Sequence, residues 1–533
     1  MRAGWTAWVL ALSSSVLLFA AFPPWNLAEL GWVALIPWIL ALRCSPENAG
    51  RISYAAGLLF WCSSLWFLTP VTVAGGACLA AYCALFWIPP GLLIASFLKK
   101  WKPGESLRAL QLVLGGSFAW CAMEGLRGWL LTGFPWNQLG VSQWENYGLM
   151  QLASLGGVEL ISFVLLCLNV GIAMSILSVV ETLGQRLPRR WRPELYVPIL
   201  IMAFSFSWGT KELRRVGLGE TKEVRVSVIQ PMAANFWTEE LANENYRTLW
   251  NLSEASLLTN PDLILWPETA IPDELLGARG ARPRILIKNL VDQGVPLLMG
   301  SLHYEFEDRE DGLERIPKYY NASFFIEEGG KITGSYFKRH LVMFGEYIPF
   351  SSALSWLKTI VPMPEDVTPG TELGIMEWKQ QDITLGLMIC FEDLMPYIGV
   401  ELAEAGAQLF VNQTNDSWFD PYWGSRAHLA NSVFRSVETR RPMLRGTNSG
   451  VSAWIDARGL VRQVMYDEIH ESYRYAGTAP FQVEVPLEPV ETPFQKHPRR
   501  FIMLCWLGML MLWRPKGILH RASQGKAVEG EAP

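Results

Sequence analysis

Apolar residues crowd the first part of the chain in long runs, and the later part alternates short apolar stretches with polar ones. A run of about 17 to 25 apolar residues can cross a bilayer as a helix. Eight stretches approach that length, near 5–22, 28–42, 53–69, 72–97, 109–131, 158–180, 194–209 and 500–513, the second, seventh and eighth being short. The first has Arg2 ahead of an apolar core, as a secretory signal would. It lacks a small-residue cleavage site and continues into Phe22-Pro23-Pro24-Trp25, so it is expected to stay attached.

From Val224 onward the pattern becomes β-rich runs alternating with helical stretches, punctuated by Gly, Pro and Asn, which predicts an α/β domain. Strands are expected at 224–230, 262–266, 296–300, 322–327, 332–337, 383–389, 408–412, 442–447 and 451–456. The expected organisation is a membrane domain over 1–210 with about seven transmembrane helices, an α/β domain over 221–490, a final transmembrane helix over 499–514 and a polar tail over 515–533.

Charge sharpens this partition. Residues 1–210 hold 20 of the 95 charged side chains, no Asp, and 15 of the 25 Trp, which are expected to form an interfacial belt. The net charge of −5 leaves no basic excess for displacing counterions from nucleic-acid phosphates. Short loops rich in Lys and Arg remain cytoplasmic. Loops after the even-numbered runs carry Arg43 and Arg51, then Lys99, Lys100, Lys102 and Arg108, then Arg186, Arg189, Arg190 and Arg192, whereas those after runs one, three and five offer only Arg127. Both termini are therefore expected in the cytoplasm and the α/β domain on the opposite side, with Lys496, Arg499 and Arg500 as a local exception.

Seven of the eight cysteines lie in or beside apolar runs, leaving Cys390 alone in the hydrophilic domain, where it cannot form an internal disulfide. A buried cysteine acting as a small hydrophobe is one reading. Another comes from the strand ends: the run through Leu265 delivers Glu268, the run through Phe337 delivers Lys338, and the run through Ile389 delivers Cys390. Sites gather at the carboxyl ends of strands in open α/β folds. A carboxylate with a raised pKa can take the thiol proton, and an ammonium can stabilise the oxyanion of a tetrahedral intermediate. The helical pattern from Tyr397 to Gly406 suggests a helix N-terminus favouring thiolate near Cys390. The six His show no metal-ligand spacing, so neither metal nor cofactor is expected. A Cys-His protease using His340 or His428 would leave Glu268 and Lys338 unexplained. Glu124, with Arg127 one turn later, is read either as an ion pair near the interface or as a substrate contact.

Trp266-Pro267-Glu268-Thr269, Tyr336-Phe337-Lys338-Arg339-His340-Leu341-Val342 leading to Phe344-Gly345-Glu346-Tyr347-Ile348-Pro349, and Cys390-Phe391-Glu392-Asp393 resemble the nitrilase superfamily and, within it, the bacterial apolipoprotein N-acyltransferase family. Asn412 through Phe419, Arg435 through Gly450, Thr132-Gly133-Phe134-Pro135-Trp136 and Gly157-Val158-Glu159 extend the resemblance over nearly the whole chain. The resemblance implies an exported nitrilase-like αββα sandwich, periplasmic, on an α-helical membrane domain of about eight spans in the bacterial inner membrane. It implies acyl transfer from a phospholipid to the free α-amino group of a diacylglyceryl-cysteine at the start of a diacylated, prolipoprotein-derived lipoprotein. Cys390 would form a thioester, Glu268 would act as base and acid, and Lys338 would stabilise the oxyanion. Glu346 would support the lysine and Glu392 would serve the same site, while Trp237, Phe391, Asn415, Trp418 and Glu124 are the candidate substrate contacts. Gln230 is followed by Pro231-Met232 where the family has Gly-Asn, Met343 stands in place of Pro, and Phe391 in place of Tyr. A membrane-tethered amidase and a transporter with an exported binding domain are the rival readings.

Overall fold

The computed structural model describes residues 2–183, 191–215, 219–234, 238–271, 275, 281–308, 315–343, 345–347, 366–419 and 423–512. Trp237 and the tail over 515–533 lie outside the described residues.

The first half is helical: α1 (Arg2–Ala20), α2 (Ile36–Cys44), α3 (Ala49–Ser64), α4 (Val73–Leu85), α5 (Ile88–Leu98), α6 (Ser106–Arg127), α7 (Tyr147–Met150), α8 (Ala153–Val180) and α9 (Pro193–Arg215). Among the described residues, three stretches are long and apolar enough to span a membrane: Val73–Leu98, Ser106–Arg127 and Ala153–Val180. The segments 28–44 and 46–64 qualify only as a pair, bent by 109°, and the helices at either end of the chain are apolar but shorter. The bend falls at Ser45-Pro46, where proline cannot continue α2. Where α3 passes α5, a Cβ on Gly91 would lie 2.0 Å from Ser53 Oγ, so only glycine permits that approach. The tryptophans divide between surface and interior rather than forming a belt alone. Trp5, Trp66 and Trp129 are exposed, while Trp38, Trp87 and Trp120 are buried and meet edge to face at ring separations of 4.9–5.7 Å.

Among the described residues, the second half forms two six-stranded sheets. The first comprises β1 (Thr221–Gln230), β2 (Leu263–Leu265), β3 (Leu297–Asp308), β4 (Arg315–Glu327) and β5 (Lys331–Phe337), with β12 (Gly477–Pro486) on the far edge beside β1. The second comprises β6 (Ile375–Trp378), β7 (Ile383–Ile389), β8 (Leu409–Thr414), β9 (Met443–Thr447), β10 (Ala453–Ile455) and β11 (Val461–Val464) in sequential spatial order. In each sheet three central strands run parallel, β1-β2-β3 and β7-β8-β9, and antiparallel strands flank them.

The inner faces pack on each other through Val226, Val228, Leu263 and Leu265 from one sheet and Leu385, Leu387, Val411 and Leu444 from the other. The helices α10 (Glu239–Leu257) and α11 (Ala281–Val291) cover the first sheet with a core of their own. The helices α12 (Pro396–Glu404) and α13 (Trp423–Thr439) cover the second, and their buried residues are continuous with the core of the membrane half. Asn137 N donates to Asn431 Oδ1 at 2.9 Å and Asn431 Nδ2 donates to Asn137 Oδ1 at 3.2 Å, tying α13 to the loop after α6. Two further helices follow β12, α14 (Pro493–Lys496) and α15 (Arg500–Leu512).

The nine expected strands are all present. β6, β11 and β12 are additional, and β3 and β4 run on as a hairpin to Asp308 and from Arg315. β12 carries Pro480 within it, which an edge position tolerates because the missing N–H need not face a second neighbour.

Candidate active site

The exits of β2, β5 and β7 meet. After β2 the chain turns through Trp266-Pro267 to Glu268, passing so close to β3 that a Cβ on Gly300 would lie 2.4 Å from Pro267 O and 2.7 Å from Glu268 Cα. Glu268 is thereby held with 7% exposure. Its Oε1 accepts from Asn321 Nδ2 at 2.7 Å and its Oε2 from Asn415 N at 2.8 Å. Lys338, the first residue past β5, is 1% exposed; its Nζ donates to Glu346 Oε1 at 2.8 Å and stands 3.6 Å from Glu268 Oε1. Glu346 is fixed in turn by Val342 N, which donates to Oε2 at 2.8 Å.

Burial pushes the Glu268 carboxyl above the usual range; Lys338 opposes this and Glu346 adds to it. Burial disfavours the Lys338 charge, but Glu346, Cys390 and Glu268 outweigh it and hold the ammonium firmly protonated. Burial leads the Glu268 shift and the second carboxylate adds to it, while the same two carboxylates favour the lysine's charged form.

Cys390 occupies φ +53°, the left-handed region, at the junction between β7 and a single 3-10 turn, Cys390–Leu394. Such a conformation costs a non-glycine residue on the order of 1 kcal/mol and persists where surroundings over-determine it. Burial raises its thiol well above the ordinary value, Glu268 raises it further, and Lys338 and Thr414 oppose them. The expected helix N-terminus does not adjoin the thiol, since α12 begins only at Pro396. The thiol therefore rests protonated and needs a base.

Glu392 holds this junction in place. Its carboxylate accepts from Tyr336 OH at 2.8 and 2.9 Å, from Arg339 N at 2.8 Å, from His340 N at 3.0 Å and from Ile389 N at 2.7 Å. It thus clamps the exit of β5 to the exit of β7. Phe391 stacks between Phe134 of the membrane half, at 5.9 Å, and His340, at 6.0 Å. Asn415 gives its backbone N–H to Glu268 and its Oδ1 accepts from Asn448 Nδ2 at 3.1 Å. Trp418, three residues on, is 42% exposed.

Glu124 is not part of this cluster. It lies buried in α6, accepting from Trp120 Nε1 at 2.8 Å and Leu139 N at 2.7 Å, while Arg127 donates to the carbonyls of Phe134 and Trp136. Both line a cavity of about 20 Å³ with Trp61 and Asn137, room for one water. His428 bonds aspartates through both ring nitrogens, Asp416 at Nδ1 and Asp393 at Nε2, which leaves neither free to take a thiol proton. Asn321 was not foreseen. It bridges the two carboxylates, donating to Glu268 and, at 3.3 Å, to Glu346 Oε1, and only the β4–β5 register reveals it, because Lys338 N donates to Asn321 O.

Residues 14–171 match the family model described as apolipoprotein N-acyltransferase N-terminal domain, and residues 225–477 match that of carbon-nitrogen hydrolase. The apolipoprotein N-acyltransferase of Geobacter metallireducens is 30% identical over 475 residues, covering 85% of this chain and 86% of its own length. That of Azotobacter vinelandii is 30% identical over 561 aligned positions, covering 99% of each chain. A solved mutant of the Nesterenkonia AN1 amidase from the nitrilase superfamily aligns with 54% of this chain at 16% identity and a TM-score of 0.38. Both halves of the curated relatives are thus matched in their order along the sequence, and the chain belongs to the apolipoprotein N-acyltransferase family, enzymes of lipoprotein N-acylation.

Proposed function

We propose that Cys390 carries the acyl chain as a thioester, taken from a phospholipid and passed to the N-terminal α-amino group of a diacylglyceryl-cysteine lipoprotein. Glu268 accepts the thiol proton as sulfur attacks the ester carbonyl, and the Lys338 ammonium stabilises the oxyanion. Collapse expels the lysophospholipid alkoxide, which takes the proton from Glu268. The amine then attacks the thioester, loses its proton to Glu268, and Cys390 leaves to be reprotonated. Glu346 keeps Lys338 charged, and Glu392 holds the two strand exits together. Asn415 orients Glu268; Phe391 and Trp418 face substrate.

The observation that carries this reading is the meeting of a desolvated carboxylate and an ammonium 3.6 Å apart with a cysteine in the left-handed region, on whose ionisation both charges act. The bilayer is the enzyme's second solvent. The apolar helices and the basic loops support a multi-pass protein of the bacterial inner membrane, with the catalytic domain in the periplasm and the termini in the cytoplasm.

The test is to incubate the detergent-purified protein with phospholipid and measure an added acyl mass on Cys390, then offer a diacylated lipopeptide with a free amine. Transfer to that peptide, and none to an N-blocked one, is expected. Hydrolysis of the acyl-enzyme without transfer would establish the amidase reading instead.

A further inference from the structure

One set of ionisable groups beside Cys390 takes no part in these proton transfers. Asp393, Asp416, His428 and Arg445 are each 2% exposed or less. His428 Nδ1 lies 2.9 Å from Asp416 Oδ1 and Nε2 lies 2.9 Å from Asp393 Oδ1. Arg445 Nη1 donates to Asp393 Oδ2, and its Nη2 stands 3.9 Å from Asp416 Oδ2. A neutral imidazole has one N–H and can satisfy one carboxylate; the imidazolium satisfies both. Burial opposes that charge, but Asp393 and Asp416 outweigh it and bring His428 up to about 9. Two anions and two cations close into a neutral set.

The set reaches the reacting residues from two directions. Asp393 sits in the turn that Cys390 opens, while Asp416 follows Asn415, whose N–H holds Glu268. Thr414 Oγ1 donates to Asp416 Oδ1 at 3.2 Å and also contacts the Cys390 thiol, whose ionisation the Asp416 charge disfavours. Facing His428 are Asp393 and Asp416 from the two turns, Arg445 from β9, and the rings of Trp136 and Phe419, with Arg435 of α13 acting on Asp393.

We infer that His428 is a positioning residue whose doubly bonded imidazolium locks the Cys390 turn to the Asn415 turn and screens the thiol from Asp416. This rests on Cys390 being the nucleophile, as proposed above. It also assigns the ring a task other than proton transfer: without its charge, one carboxylate of the set is left uncompensated beside the sulfur.

The experiment follows alkylation of Cys390 by iodoacetamide across pH, by mass spectrometry on the full-length protein in detergent, with acyl transfer measured in parallel. In His428→Gln the alkylation midpoint should rise by about one pH unit, which slows alkylation about tenfold at a fixed pH below it. Adding Asp416→Asn removes the uncompensated carboxylate and should return the midpoint toward wild type. Asp416→Asn alone keeps the ring and should carry the midpoint below wild type, so it decides the matter even where His428→Gln does not fold. An unshifted profile in either single variant, with transfer still abolished by alkylation, overturns the inference alone. Full transfer after complete alkylation overturns the thioester reading and this inference with it.

Discussion

Two buried charge clusters flank Cys390 and are built on opposite rules. Glu268, Glu346 and Lys338 place two carboxylates around one ammonium, so the cluster is short of positive charge. Asp393, Asp416, His428 and Arg445 balance. Glu268 and Asp393 are both buried, yet burial and Glu346 drive Glu268 up against the pull of Lys338, whereas His428 and Arg445 overcome burial and hold Asp393 below the usual range. Desolvation raises a carboxyl where the neighbouring charges do not outweigh it. At Glu268 the second carboxylate adds to burial and a proton relieves the excess negative charge, while at Asp393 a proton would give up the attraction of His428 and Arg445.

Breaking the unbalanced cluster should have the largest effect. Lys338→Met leaves two buried carboxylates facing each other without a cation. Acyl-enzyme formation should fall by about 100-fold or more, as for loss of an oxyanion donor, and stability should drop by about 3–5 kcal/mol. Single-turnover kinetics and thermal denaturation in detergent report the two separately. Acyl-enzyme formation within tenfold of wild type would remove Lys338 from the oxyanion role.

Arg445→Met opens the balanced cluster, and the same rule predicts about 3–5 kcal/mol of lost stability. The informative variant is Arg445→Met combined with Asp393→Asn, which restores neutrality around the remaining His428–Asp416 pair. Denaturation should show partial recovery in the double variant. Purely additive losses would mean that packing, not charge balance, holds these residues.

The pH dependence separates the clusters more gently. Glu268 works as a base only when ionised, so thioester formation should fall as pH drops through its raised pKa, giving an acid limb above the ordinary glutamate range. Between the ordinary and raised values the folded state holds the extra proton, so this residue lowers stability as pH rises through that window. The Asn321 hydrogen bond favours the ionised form. Asn321→Leu should therefore move the limb further up, as read from acyl-enzyme formation against pH; a downward move would contradict the assignment of the limb to Glu268.

The sequence discloses the unbalanced cluster far better than the balanced one, for a physical reason. Glu268, Lys338 and Cys390 each end a β-rich run, and the ends of such runs are legible from alternation and punctuation alone. Asp393, Asp416, His428 and Arg445 come from two turns, a helix and a strand interior, and nothing local marks them as partners. Asn321 is hidden in the same way, since its place depends on Ala322 pairing with Phe337. The membrane half is legible in composition and less so in geometry: the apolar runs near 28–42 and 53–69 look like two crossings, and a proline after Ser45 turns them into one bent pair.

The smallest effect tests whether the balanced cluster depends on the membrane half. Asn431 lies one helical turn beyond His428 on α13 and exchanges hydrogen bonds with Asn137. Asn431→Ala leaves the buried Asn137 N–H and Oδ1 without these partners, a loss of about 1–3 kcal/mol that should appear as a lower denaturation temperature. The four charges are bonded to one another and not through Asn431, so the Cys390 alkylation midpoint should stay at its wild-type value. A midpoint that moved as far as in His428→Gln would show that the cluster takes its geometry from the contact with the membrane half. The thiol's reactivity would then be coupled to the fit between the two halves, and the balance of charge would be its consequence rather than its cause.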